Sequence, residues 1–322
     1  LNKKQIIKVL KFILPLALGV FLIWYSYSTT SEEDRKTIYK YIKEADYFWV
    51  AMSWLLGILS HLSRAYRWNF LLEPMGHKVR FPNSLMATSV AYFANLGIPR
   101  SGEVLRATTL ASYENVPFQK AFGTIVAERI VDLIMLFLIT SIALALQTDT
   151  IMELLMKREG SSSFLLVIGA IGLLSVFIFI RFIKNSKNAF AIKLKAFING
   201  LLEGVVSIFK MKKKWPFILH TVFIWSMYIL MLWVIKFSIP EVEDLSLSII
   251  LVAFVAGAFA MSASNGGIGW YPFAIATILT AFGISKPSGE AFGWIMWISQ
   301  TLLVVLLGVS SFLFLPIYNR NK

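Results

Sequence analysis

The chain has 322 residues, of which 57% are hydrophobic and 15% charged. Soluble domains carry roughly 45–50% apolar and about 25% charged residues, so a water-soluble fold is excluded. The formal net charge is +13, but the basic residues flank apolar runs, as in cytoplasmic loops of membrane proteins, which excludes a nucleic-acid binder. There is no cysteine, so disulfides and thiolate metal sites are excluded. His61, His77 and His220 share no ligand spacing, and no metal or other cofactor is expected.

A helix crosses hydrocarbon in about 17–25 apolar residues. Six runs qualify, near 9–28, 47–63, 121–146, 163–183, 216–237 and 291–316. The first lacks a small-residue cleavage site after Tyr27 and reads as a retained helix. Ser31 and Asp34 then resemble a capping box that opens a short polar helix. Two regions, 84–115 and 245–284, each have two apolar arms broken by a glycine-containing stretch. In the first, the arms Ser84–Ala94 and Val104–Ser112 are too short to span. Both regions read as re-entrant helical hairpins, which need protein or water around their turns. The arm near 245–264 is long enough to cross by itself. Farther on, Phe190, Leu194, Phe197, Leu201, Val205 and Ile208 recur at helical spacing with lysines beside them, as in a helix lying on an anionic leaflet.

Orientation follows from the basic residues. With a cytoplasmic N-terminus, 22 Lys and Arg fall inside and 8 outside, Arg129 apart. This places both termini in the cytoplasm, 147–162 and 238–244 outside, and 185–213 inside.

The sequence also repeats itself at an offset of 170 residues. Asn95, Gly97 and Ile98 match Asn265, Gly267 and Ile268, Pro117 matches Pro287, and Ala121-Phe122-Gly123 matches Ala291-Phe292-Gly293. The matches fall on turn residues and hairpin-to-span joints, where backbone geometry constrains residue type most. Three spans separate the hairpins, so the half-repeats, approximately 84–146 and 254–316, are expected to be inverted. The expected fold is an all-α integral membrane protein, a single polytopic domain over 1–322. It has about six full spans and two re-entrant hairpins in an inverted repeat. Gly97 and Gly267 are expected in equivalent turns.

Charges inside this frame mark the candidate site. Glu128, Arg129 and Asp132 interrupt the span 121–146, and each would cost roughly 2.5–3.5 kcal/mol at the bilayer centre if unpaired. Spacing sets Glu128 and Asp132 on one face and lets Arg129 pair with Asp132. The first hairpin turn adds Arg100, Ser101, Glu103 and Arg106, with Pro99 and Gly102 shaping the backbone. Planar guanidinium donors beside a helix N-terminus suit a phosphate. Arg129 is therefore the expected structural member, and Arg100 or Arg106 is expected to face a polar cavity open to the cytoplasm. The second turn, with Gly266, Gly267 and Gly269, carries no charge, and its Trp270 and Tyr271 suit either a lipid path or an interfacial anchor. Asn95 and Asn265 complete the expected substrate-binding set.

Pro99-Arg100-Ser101-Gly102-Glu103, Arg106 and Glu128-Arg129 with Asp132 resemble the signature of the lysylphosphatidylglycerol synthase transmembrane-region family. The resemblance covers nearly the whole chain. That family includes the flippase part of the multiple peptide resistance factor. The resemblance implies translocation of a lipid with an amino-acylated or phosphate-bearing head group across the cytoplasmic membrane. Relatives linked to glycolipid or polyprenyl-lipid pathways keep those substrates open. No room is expected for the soluble aminoacyl-transferase domain of the bifunctional relatives. A membrane-embedded transferase, or a scaffold for a lipid- or glycolipid-modifying enzyme, is the alternative. Against the transferase, the sequence has neither a DxD-like loop motif nor a GxxxxGK cradle. The expected partners are membrane lipids, with a lipid-synthesising enzyme as a further one.

Overall fold

The computed structural model describes residues 17, 20–21, 23–28, 30–148, 211–264 and 266–320. The expected span 163–183, the amphipathic segment 190–208, Asn265 and most of 9–28 lie outside them, as do nearly all of 147–162 and 185–213. Among the described residues every regular element is helical. In chain order these are α1 (Glu32–Glu44), α2 (Tyr47–Leu72), α3 (Phe81–Gly97), α4 (Ser101–Tyr113) and α5 (Phe118–Leu146). After the undescribed stretch come α6 (Lys214–Ile235), α7 (Leu247–Ala263), α8 (Trp270–Ala281) and α9 (Lys286–Tyr318).

Helix starts follow local chemistry. The Ser31 hydroxyl accepts from the Asp34 amide at 3.0 Å, and the Asp46 carboxylate from the Phe48 amide at 3.0 Å. Each satisfies one of the amides that a helix N-terminus leaves free. Pro117 precedes α5 and Pro287 sits in the first turn of α9, where a missing N–H loses nothing. Three helical stretches are long and apolar enough to cross a membrane: Phe118–Leu146, Lys214–Ser238 and Lys286–Tyr318. They cover the expected spans 121–146, 216–237 and 291–316. The expected span 47–63 is only the first part of α2, which continues nine residues further through Arg64 and Arg67.

Antiparallel pairs organise the bundle. α2 runs against α6 from end to end: the Asp46 amide meets the Ser238 carbonyl at 3.1 Å, Gly57 lies against Met231, and Arg67 reaches Thr221. α3 runs against α9, from the Asn83–Asn319 hydrogen bonds to Phe93 packed over Gly308. α5 runs against α7, starting where the Gln147 amide donates to the Ser248 hydroxyl at 2.7 Å. The arms α3 and α4 pack as a hairpin, as do α7 and α8. The first arm of each hairpin packs on the long helix that follows the other, α3 on α9 and α7 on α5.

These pairings define two ends. Residues 73–80, 114–118, 211–214 and 319–320 gather at one, and residues 30–46, 236–246 and 282–290 at the other. The first hairpin hangs from the former and the second from the latter. Their turns meet, with the Leu96 side chain against Gly266, whose carbonyl also accepts the Trp297 indole N–H at 2.7 Å. The first turn takes three residues, 98–100, with Arg100 at φ 64°. The second takes six, 264–269, and uses positive φ at Gly266, Gly267 and Gly269. Gly97 and Gly267 thus both lie at hairpin turns, but not in equivalent conformations. Gly97 is the last residue of α3 and Gly267 stands at φ 77° inside a longer turn.

The tightest backbone approach is within the first hairpin. A Cβ on Gly102 would stand 2.1 Å from the Ala91 carbonyl oxygen. No flexible side chain can give way there. Gly102→Ala should lower stability by about 3 kcal/mol or more, since overpacking against fixed atoms typically costs about 1–3 kcal/mol. A Cβ on Gly123 of α5 meets nothing within 4 Å, so Gly123→Ala should be neutral or gain up to ~1 kcal/mol of helix propensity. Thermal unfolding of both variants in detergent measures the contrast. Equal melting temperatures would contradict the packing.

Candidate functional site

Three helices bring their charges to one place. Arg64 and Arg67 lie one turn apart on α2, Glu128 and Asp132 one turn apart on α5, and Arg106 on α4 closes the group. The Arg64 Nη1 donates to the Asp132 Oδ2 at 2.7 Å. The Arg67 Nη2 lies 3.4 Å from the Glu128 Oε1 and 3.3 Å from the Asp132 Oδ1, and its Nη1 donates to the Thr221 hydroxyl at 2.8 Å. The Arg106 Nη1 donates to the other Glu128 oxygen. Arg67 and Glu128 are 0% and 1% exposed, so neither keeps water.

Such pairing is compulsory. An unpaired ion in low dielectric is penalised by several kcal/mol, and attraction offsets this only with good geometry and further hydrogen bonds. Here each carboxylate takes donors from two arginines, and aromatic faces line the guanidinium groups. Arg106 lies 3.7 Å from the centroid of Trp68, whose indole N–H donates to Thr124 at 2.8 Å. Arg64 sits 5.9 Å from both the Tyr92 and the Tyr228 rings. A cation over an aromatic face gains roughly 0.5–2 kcal/mol.

Arg129 stands at the rim, not in the centre. It is 44% exposed, with Nη2 at 2.9 Å from Glu103 and Nη1 at 3.8 Å from Asp132. Its pairing with Asp132 was expected, but its role as the structural member was not correctly placed. Arg64 and Arg67 hold that role. Of the two arginines expected at a polar cavity, Arg106 is 4% exposed and bound to Glu128. The reason is reach, because Glu128 projects from α5 to where α4 crosses it and removes Arg106 from water. Arg100 remains exposed at the turn.

The other expected residues serve mostly as hairpin construction. The Asn95 Oδ1 accepts the Gly102 amide at 2.8 Å, and the Ser101 hydroxyl donates to the Ile98 carbonyl at 2.7 Å. These bonds close the turn around exposed Pro99. Tyr271 is buried, its ring filling the space left by Gly257, so it lines no open path. Trp270 is half-buried, and its indole N–H finds no partner among the described residues. Asn265 lies outside them. Among the described residues no group of three or more His, Asp or Glu is placed to hold a metal ion.

Two features went unread in the sequence. Arg64 and Arg67 fall just past the expected span 47–63, although their i,i+3 spacing on an unbroken helical pattern marks a shared face. A second polar knot ties the end of α3 to its neighbours. Arg80 Nε donates to Glu114 at 2.8 Å, Asn83 also donates to Glu114, and Asn83 pairs with Asn319.

The cluster sets an order of damage. Arg67→Ala leaves buried carboxylates short of a donor and should cost about 3–5 kcal/mol. Arg129→Ala removes a half-exposed partner and should cost about 1 kcal/mol or less. Folded yield and unfolding temperature of the two variants report this order, and the reverse order would refute it.

The geometry can be set beside known proteins. The Lysylphosphatidylglycerol synthase TM region family matches residues 12–308. The UPF0104 membrane protein MJ1595 of Methanocaldococcus jannaschii is 31% identical over 87 residues, which is 26% of this chain and 26% of that protein. The match thus spans about a quarter of that relative. No solved structure matches. With the matched region running through all three helices of the charge cluster, the chain is a membrane protein of the lysylphosphatidylglycerol synthase TM region family.

Proposed function

We propose that this protein translocates a lipid with a phosphate-bearing or amino-acylated head group across the cytoplasmic membrane. The observation that carries the reading is the meeting of the two hairpin turns at Leu96 and Gly266, beside the charge cluster. On this reading the hairpins are re-entrant and enter from opposite faces. The segments 84–146 and 254–316 then form an inverted repeat, an architecture in which transporters place their sites at the repeat interface. The match to the family supports a lipid-related role. The reading assigns the chain no catalytic step.

Charge asymmetry supports an orientation. The end formed by 73–80, 114–118, 211–214 and 319–320 has six Lys and Arg against two acidic residues. The opposite end, 30–46, 236–246 and 282–290, has six against nine. The basic end is then cytoplasmic and both termini lie inside. Arg100, exposed and at positive φ just before α4, is the residue free to meet a head-group phosphate.

Two tests follow. In intact cells an impermeant thiol reagent should label Glu243→Cys and not Lys78→Cys, since the chain has no cysteine of its own. Labelling of Lys78→Cys alone would reverse the orientation. In reconstituted vesicles Arg100→Ala should fold as the parent does and slow translocation of a fluorescent anionic phospholipid about tenfold, the loss of one charge-assisted contact of roughly 1.4 kcal/mol. Undiminished translocation in Arg100→Ala would remove Arg100 from the head-group site. No translocation by the parent chain of anionic, amino-acylated or glycolipid probes would sink the reading itself.

A further inference from the structure

A groove runs between α2 and α9 at the end where α1 lies, well away from the charge cluster. Ile42 of α1 roofs it, Val50 and Ala51 of α2 line one wall, and Ile295, Ile298 and Leu302 of α9 line the other. Its volume is about 290 Å³. The polar side chains around it are turned onto the protein. The Tyr47 hydroxyl donates to the Ile42 carbonyl at 2.7 Å and ties the roof to the first wall. The Trp54 indole N–H donates to the Ser299 carbonyl at 3.0 Å and to its hydroxyl at 2.8 Å, and so ties the two walls together. The surface left for an occupant is hydrocarbon.

The groove opens sideways. Ala51, Ile298 and Leu302 are exposed, and they run on into exposed Leu55 and Leu59 of α2 and Leu306 of α9. In a membrane protein such a continuous apolar surface is the one that lipid covers. Depth agrees: Tyr47 to Trp54 is about 10 Å along α2, which lies within one half of a hydrocarbon core roughly 30 Å thick.

Size decides among occupants. A helix is about 10–12 Å across, so a 10 Å length of one fills roughly 800 Å³, far more than the groove holds. An apolar cavity of about 150 Å³ stays dry and takes one benzene, so 290 Å³ suits a hydrocarbon of roughly a dozen carbons. We propose that this groove seats one acyl chain of a phospholipid from the leaflet on the side of α1. The seated chain bridges α1, α2 and α9. The inference rests on shape and apolarity and does not require that the protein move lipid.

Photocrosslinking of the full chain tests it. The protein is reconstituted in vesicles of phosphatidylethanolamine and phosphatidylglycerol, with a trace of phosphatidylcholine carrying a diazirine at mid-chain. A chain walled on three sides inserts into protein on illumination, whereas one passing an open helix face inserts mostly into neighbouring lipid. Adducts on residues 50–54 and 295–302 should therefore be several-fold above those on Leu138 and Ile142, which are exposed on α5 in the same half of the molecule. Ala51→Phe fills the groove from α2 and should bring its adducts down to the α5 level while leaving those on α5 unchanged. Ile298→Trp narrows the groove from α9 and should do the same, which guards the test should Ala51→Phe fail to fold. Equal yields on the groove and on α5 in the parent chain would overturn the seat. So would a groove yield retained in both variants. Crosslinks from the groove to a second copy of the chain in place of lipid adducts would assign it to a protein contact and also overturn it.

Discussion

The carboxylate of Glu128 is the interaction on which the first half of the structure depends. It is fully buried in α5 and takes donors from α2 through Arg67 and from α4 through Arg106. In hydrocarbon these bonds have no competitor, because no water waits to replace either partner. Remove one arginine and the remaining ion has nowhere to go. The bond therefore works as a spatial constraint: it dictates where the second arm of the hairpin lies against the two helices beside it. Trp68 and Thr124 then fill the angle between those helices, fixing the guanidinium plane of Arg106 as well as its charge.

The second half is held differently. No charge lies between α7, α8 and α9 below their first turns. A core of apolar side chains joins them instead, including Ile250, Ile275, Leu279, Phe292 and Ile295. Close approach replaces ion pairing here: Gly293 lets α9 touch the backbone at Pro272, and Tyr271 occupies the space over Gly257. The same arrangement of helices is thus secured once by electrostatics and once by shape. The second turn is correspondingly shaped by its backbone, with positive φ at Gly266, Gly267 and Gly269.

What the sequence made legible was whatever the bilayer dictates by length. Hydrocarbon thickness fixes how many apolar residues a span needs, so 121–146, 216–237 and 291–316 appear in the structure with small shifts of their ends. The arms Ser84–Ala94 and Val104–Ser112 lie inside α3 and α4 for the same reason. Arg64 and Arg67 were missed because hydropathy registers the penalty of a charge but not the partner that removes it. Those partners, Asp132 and Glu128, lie more than 60 residues away in sequence. The burial of Arg106 was not legible for the same cause. Asn95 looked like a ligand group because a polar side chain at a turn carries no mark of whether it faces outward or bonds to its own backbone.

The two ways of holding a hairpin also differ in what it takes to move one. Drawing α4 away from α5 would separate Arg106 from Glu128 and leave two buried ions unpaired until new partners arrived. The knot of Arg80, Asn83, Glu114 and Asn319 resists the same displacement at the basic end. Sliding α8 along α9 breaks no ion pair and exchanges one set of apolar contacts for another. The Trp297 indole, on α9, ties the second turn to that helix through the Gly266 carbonyl. Any rearrangement that parts the turns at Leu96 and Gly266 is therefore less costly through the second hairpin than through the first. By this comparison of contacts the charged hairpin resists displacement more than the glycine-rich one.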